Sequence, residues 1–193
     1  DDGVIIHYDG RSWTPMASGT THNLISIWGT SGRDVFAAGY GGTVLHYDGA
    51  AWTPMATGTT EDLYGIWGTS AGHVIAVGGT PMPLPGKGLV LRFDGKTWSK
   101  VSIPDTPFLA GVWGTAQNDV FAVGVNLAIL RFDGKAWAAM KANAPLAPDS
   151  VNFLTRVWAA GPNDVYAAGF DGVLLRYDGR AWTPVPLATK ELL

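Results

Sequence analysis

The carboxylates that recur are the residues best placed to do chemistry. Asp9, Asp48, Asp94, Asp133 and Asp178 each follow Tyr or Phe, precede Gly, and stand four residues before a Trp. A second series, Asp34, Asp119 and Asp164, has His73 in one place. A third position is always basic: His7, His46, Arg92, Arg131 and Arg176. Carboxylates beside basic groups can serve acid–base catalysis, metal binding or ion pairing. A metal site needs oxygens converging from several segments, and no Asp-x-Asp-x-Asp ladder is present. The first two series therefore read as turn caps, since an Asp side chain accepts backbone N–H bonds within its own turn. The basic groups read as stems covering apolar surface or as partners of an Asp in a neighbouring repeat. His-Tyr-Asp at 7–9 and 46–48 is no catalytic triad, because successive strand residues point to opposite faces.

Other catalytic signatures are missing. The sequence holds no SxxK, P-loop or dinucleotide fingerprint, so no cofactor and no catalytic residue is assigned. Glycosidase chemistry needs two carboxylates about 5–9.5 Å apart. Only Glu61, Asp62, Asp105, Asp149 and Asp171 lie outside both the repeat positions and the termini.

These residues are carried by a repeat. The Tyr/Phe-Asp-Gly aspartates are spaced by 39, 46, 39 and 45 residues, and a second marker, Trp28, Trp67, Trp113 and Trp158, by 39, 46 and 45. A Gly follows each Trp of the second marker by 11 residues. The two markers use all nine tryptophans. A Trp recurring once per repeat reads as packing, since buried aromatics dominate core energetics. Two connections are longer than their counterparts, Gly79–Gly88 and Ala142–Phe153.

Each repeat reads as four short strands. In one, strand A is Leu24–Trp28, a turn spans Gly29–Arg33, strand B is Asp34–Gly39, strand C is Thr43–Tyr47 and strand D is Ala51–Met55. Asp48-Gly49 predicts a tight primed hairpin turn. Pro54 suits an outermost strand. Strands A to C are apolar on both faces, as sheets covered on both sides are. Four-stranded sheets every 40 or so residues, each sandwiched between neighbours, predict an all-β propeller. One domain over residues 1–193 is expected: an outer half-blade at 1–21, blades at 22–59, 60–105, 106–144 and 145–187, and a tail at 188–193. Gly3–Tyr8 and Ser12–Met16 are strands C and D of the half-blade. Two explanations stand for it: a piece of a longer or five-blade-like propeller, or a ring completed through a second copy.

Composition narrows the function. Net charge is -3 with no basic run, which argues against nucleic acid. No apolar run approaches the length of a membrane span. The absence of cysteine excludes disulfides and thiolate zinc sites.

The repeat text resembles a bacterial propeller family of the form WGxxxxDVFAVGxxGxxLHYDGxxW, over residues 1 to about 186. It is similar, more distantly, to the Asp-box propellers of sialidase-like proteins and photosystem assembly factors. The Asp-to-Trp spacing of four is one shorter than in an Asp-box, and the Ser or Thr two before the Asp is missing. The resemblance implies a secreted or surface location and a structural role for the motif itself.

In a propeller the D-to-A and B-to-C connections share one face, and both long connections fall there. Function is expected on such loops. The candidate ligand-binding residues are Tyr40, Asp62, Phe108 and Asn126, with Asp149, Asn152, Phe170 and Asp171. Glu61, Pro83, Lys87 and Asp105 share the face. Two residues before the strand A Trp stand Ser26, Gly65, Gly111 and Arg156, small residues suited to a crowded central channel. Arg156 is placed in that channel, meeting either an anion or an Asp of the next blade. The expected function is a non-enzymatic module recognising protein or glycan on the loop face. A self-assembling scaffold or propeller fragment, and a polysaccharide-active enzyme fragment, are the alternatives.

Overall fold

The computed structural model describes residues 2–143 and 152–186. Asp149 and most of the connection at 142–153 lie outside them. The chain forms β1 (Ile5–Tyr8) and β2 (Trp13–Met16), a two-stranded unit, followed by four four-stranded sheets. Blade 1 holds β3 (Leu24–Ser31), β4 (Asp34–Gly39), β5 (Val44–Tyr47) and β6 (Trp52–Met55). Blade 2 holds β7 (Asp62–Ser70), β8 (His73–Thr80), β9 (Lys87–Phe93) and β10 (Trp98–Lys100). Blade 3 holds β11 (Leu109–Ala116), β12 (Asp119–Gly124), β13 (Ile129–Phe132) and β14 (Trp137–Ala139). Blade 4 holds β15 (Leu154–Gly161), β16 (Asp164–Gly169), β17 (Leu174–Tyr177) and β18 (Trp182–Pro184). Every pairing within a sheet is antiparallel and sequential.

The blades pack face to face with their first strands together: β3 against β7, β7 against β11, and β11 against β15. That is a β-propeller, with four complete blades and an outer half-blade. Each seam is apolar. Phe36, Ala38 and Val44 of blade 1 meet Leu63, Val74, Leu89 and Trp98 of blade 2. Trp67, Ile75 and Val90 meet Leu109, Val120 and Trp137 at the next seam. Phe121 and Val123 meet Leu154, Val165, Tyr177 and Trp182 at the third. The first-strand Trp of one blade lies over a glycine of the next. A Cβ on Gly68 would stand 2.8 Å from Trp28 Cη2, and one on Gly114 2.5 Å from that of Trp67. Both distances are shorter than carbon–carbon contact allows. The small residues two before each Trp are crowded too. A Cβ on Gly111 would meet Thr155 O at 3.0 Å and Arg156 Cα at 3.2 Å.

The structure departs from the sequence reading in three local ways. Strand A does not end at its Trp. It runs on to Ser31, Ser70, Ala116 and Gly161, because a register shift in the A–B ladder lets the pairing continue to a tight turn. The Asp-Gly hairpin is no two-residue primed turn. Tyr47 pairs with Trp52, so the loop has four residues, and only the glycine takes positive φ, at 95° for Gly49. The aspartate caps the loop instead: Asp48 Oδ1 accepts the N–H of Ala50 at 2.8 Å and of Ala51 at 3.0 Å. The long Gly79–Gly88 connection is partly strand, since β8 and β9 stay paired out to Thr80 and Lys87 and leave residues 81–86 as the loop.

Three of the five basic positions pair with an aspartate of their own blade, not of a neighbour. His46 Nε2 lies 2.7 Å from Asp34 Oδ1, Arg131 Nε 2.7 Å from Asp119 Oδ1, and Arg176 Nε 2.9 Å from Asp164 Oδ1. The antiparallel B–C register sets His46, Arg131 and Arg176 opposite Phe36, Phe121 and Tyr166, so the aspartate two residues before each aromatic is the diagonal neighbour on the same face.

Candidate binding face at the channel mouth

The first strands of the four blades surround a central channel with a cavity of about 400 Å³, lined by Ser26, Tyr64, Gly65, Gly111, Arg156 and neighbours. At one end of it the B-to-C and D-to-A connections meet. In three blades the B-to-C connection is a single 3-10 turn: Tyr40–Gly42, Val125–Leu127 and Phe170–Gly172. Its middle residue is left-handed each time, with φ of 64° at Gly41, 57° at Asn126 and 58° at Asp171. Gly, Asn and Asp are the residue types that tolerate that region, which explains their alternation at this position. Asn126 and Asp171 are exposed on the rim.

The turns are tied to the following blade. Gly41 donates its N–H to Asp62 Oδ1 at 2.8 Å, and Leu127 donates to Asn152 O at 2.9 Å. Asp62 thus stands on the face as the cap of a neighbouring turn. Asn152 has φ 44° and is buried.

Above the channel the aromatic residues form a continuous arc across four blades. Tyr40 and Tyr64 have ring centroids 5.6 Å apart, Tyr64 and Phe108 4.8 Å, Phe108 and Phe153 6.0 Å, and Phe153 and Phe170 5.3 Å. The last three contacts are edge-to-face, the arrangement that ring quadrupoles favour. Phe108, only 2% exposed, is the keystone and offers no surface; Phe170, at 40%, offers the most. Tyr64 O–H donates to the Tyr40 hydroxyl at 3.4 Å. Burial first, and that bond second, push the Tyr64 phenol well above its usual range, so it stays neutral.

Arg156 lines the channel and is exposed. Its Nη1 donates to Thr155 O at 2.8 Å. Among the described residues it meets no carboxylate, so the expected Asp of a next blade is not its partner. The remaining acids are dispersed. Glu61 pairs with Lys100 at 3.7 Å and accepts from Thr80 Oγ1 at 3.5 Å. Asp105 lines a separate cavity with Lys87 and Lys100. Among the described residues no cluster of three His, Asp or Glu side chains could hold a metal. Among the described residues the face therefore offers apolar edges, the Arg156 guanidinium at the mouth and rim carboxylates, groups that can bind a partner.

Sequence reasoning chose Tyr40, Phe108 and Phe170 but missed Tyr64 and Phe153. Phe153 sat at the edge of an apparent insertion, and Tyr64 inside a strand. The signal available was registration: Phe153 occupies the same repeat position as Phe108.

No family model matches the sequence, and no curated protein matches it. Solved structures do. The chain is similar to "YCF48 bound to D1 peptide", with a TM-score of 0.57 at 15% identity, covering 94% of this chain and 86% of that one. It is also similar to YCF48 from Cyanidioschyzon merolae, with a TM-score of 0.59 at 18% identity, covering 87% of this chain and 57% of that one. The shared feature is the fold. At these identities no residue role carries over, and the likeness to a photosystem assembly factor rests on architecture. No helix is long and apolar enough to cross a membrane among the described residues.

Proposed function

We propose that this propeller is a non-enzymatic recognition module that binds an extended protein segment across the channel mouth. The observation that carries the reading is the aromatic arc from Tyr40 to Phe170, with Arg156 below it in the channel. Apolar anchors around one cation suit a peptide with an apolar side chain next to an acidic group. A structural neighbour described as bound to a peptide supports the reading at the level of fold. A protein segment is favoured over a glycan because the rings pack edge-on against one another, leaving little flat aromatic face for a sugar to stack on.

Selection of a random peptide library on the folded chain tests this. Enriched peptides are expected to lose at least tenfold affinity against Phe170→Ala and Arg156→Ala, the size of one lost hot-spot contact. A folded chain that enriches no peptide but captures an oligosaccharide on a glycan array would overturn it.

A second reading, self-assembly, is favoured by a separate observation. Ile6, Tyr8 and Trp13 on one side, and Trp158 on the other, occupy seam positions yet are exposed. Their counterparts in internal blades are covered by a neighbouring blade, and a second copy could cover these.

A further inference from the structure

On the face opposite the loops, the fourth member of a repeated ion-pair series is broken. In blades 1, 3 and 4 the first residue of the second strand is an aspartate within 2.9 Å of the basic residue on the third strand. At the seam between blades 3 and 4 the cation is held further. Arg131 lies over the Phe121 ring at 5.1 Å, and its Nη1 donates to the Tyr177 hydroxyl at 3.3 Å.

Blade 2 keeps the cation and loses both acceptors. His73 stands where the other blades have aspartate, and Phe132 of blade 3 stands where Tyr177 stands one seam later. Among the described residues no carboxylate pairs with Arg92. The seam is open instead of filled: a cavity of about 300 Å³ is lined by His73, Arg92, Gln117, Asn118, Phe132 and Gly134. His73 is 4% exposed, and its Nδ1 lies 3.4 Å from Thr69 Oγ1. Burial, and then the charge of Arg92, hold the imidazole below its usual range. His73 is therefore held neutral and brings no negative charge to offset the guanidinium, as a carboxylate would. The side-chain amides of Gln117 and Asn118 add donors on the opposite wall.

We propose that this seam binds a small organic carboxylate, whose two oxygens take the place that Asp119 holds beside Arg131. A guanidinium fork matches a carboxylate in a bidentate pair, and the cavity admits a short organic acid. The site is on the opposite end of the blades from the peptide-binding face, and it stands whether or not that reading holds.

The test is a titration of the isotope-labelled chain with acetate, benzoate and inorganic phosphate, followed by amide chemical shifts at constant ionic strength. Saturable shifts in the millimolar range are expected for the carboxylates, confined to β8, β9 and residues 117–118. They should vanish in Arg92→Met. They should also vanish in His73→Asp, which refills the slot from within and is expected to raise the thermal midpoint. Equal shifts with phosphate, or shifts that survive both substitutions, would overturn the proposal. So would a wild-type chain with no saturable response.

Discussion

The Asp that precedes each loop glycine shows how a residue with catalytic potential is used for structure. Asp9, Asp48, Asp94, Asp133 and Asp178 each accept the N–H groups of the second and third residues beyond them, at 2.7–3.0 Å. Those bonds favour the charged form, and all five carboxyls are held below the ordinary value of 3.8. The linkage has a definite sign. A depressed folded value adds stability that is fully present above 3.8 and is lost as pH falls through the folded values. The thermal midpoint should therefore hold between pH 7 and about 5 and then fall steeply. Asn keeps the acceptor oxygen but cannot titrate, so the triple variant Asp94→Asn, Asp133→Asn, Asp178→Asn should show a shallower acid limb. An acid limb of unchanged steepness would mean that other groups drive acid unfolding.

At the scale of the strand, identical text has different energetic weight according to what lies beside it. The outermost-strand Trp always stacks on the aromatic of the preceding strand: Tyr8–Trp13 at 5.2 Å, Phe93–Trp98 at 5.3 Å, Tyr177–Trp182 at 5.4 Å. Trp182 is fully buried and also meets Phe121 of the previous blade, edge-on at 6.1 Å. Trp13 is 65% exposed. Trp182→Ala should cost about 3–5 kcal/mol, as large aromatic deletions in cores do. Trp13→Ala should cost about 1 kcal/mol or less, the worth of an aromatic pair. Guanidinium unfolding of the two variants measures the difference, and equal losses would refute the assignment of stability to the seams. The inserted hairpin between β8 and β9 follows the same logic, since added residues that can pair extend a ladder before they form a loop.

At the scale of the molecule, the propeller is a stack of one interface used three times, with both of its complementary faces left exposed. Trp158 is 50% exposed where Trp67 is buried under blade 3, and Ile27 is exposed on the first blade's side. Exposed apolar surface of the kind that is buried elsewhere in the same molecule favours association. Sedimentation equilibrium is expected to show an average mass that rises with concentration. Trp13→Ser with Trp158→Ser should return it to the monomer value. A monomer at every concentration would remove the self-assembly reading and leave the recognition module alone.

The repeat spacing determined the fold by itself. A period near 40 residues, apolar residues on both faces and an Asp-Gly turn before each outermost strand leave small sheets stacked face to face as the arrangement that buries them. The packing role of the recurrent Trp was legible for the same reason, and it holds where a neighbouring blade covers the ring, as at Trp67, Trp98, Trp137 and Trp182, but not at the exposed Trp13 and Trp158. Contacts between blades were decided only by the tertiary structure. Nothing in the text says that Phe108 is sealed beneath Tyr64 and Phe153, that Arg131 turns to its own blade's aspartate, or that Arg92 faces an open seam. Those outcomes depend on the angle at which one sheet meets the next, and that angle is set by the packing of whole faces, which no local run of sequence encodes.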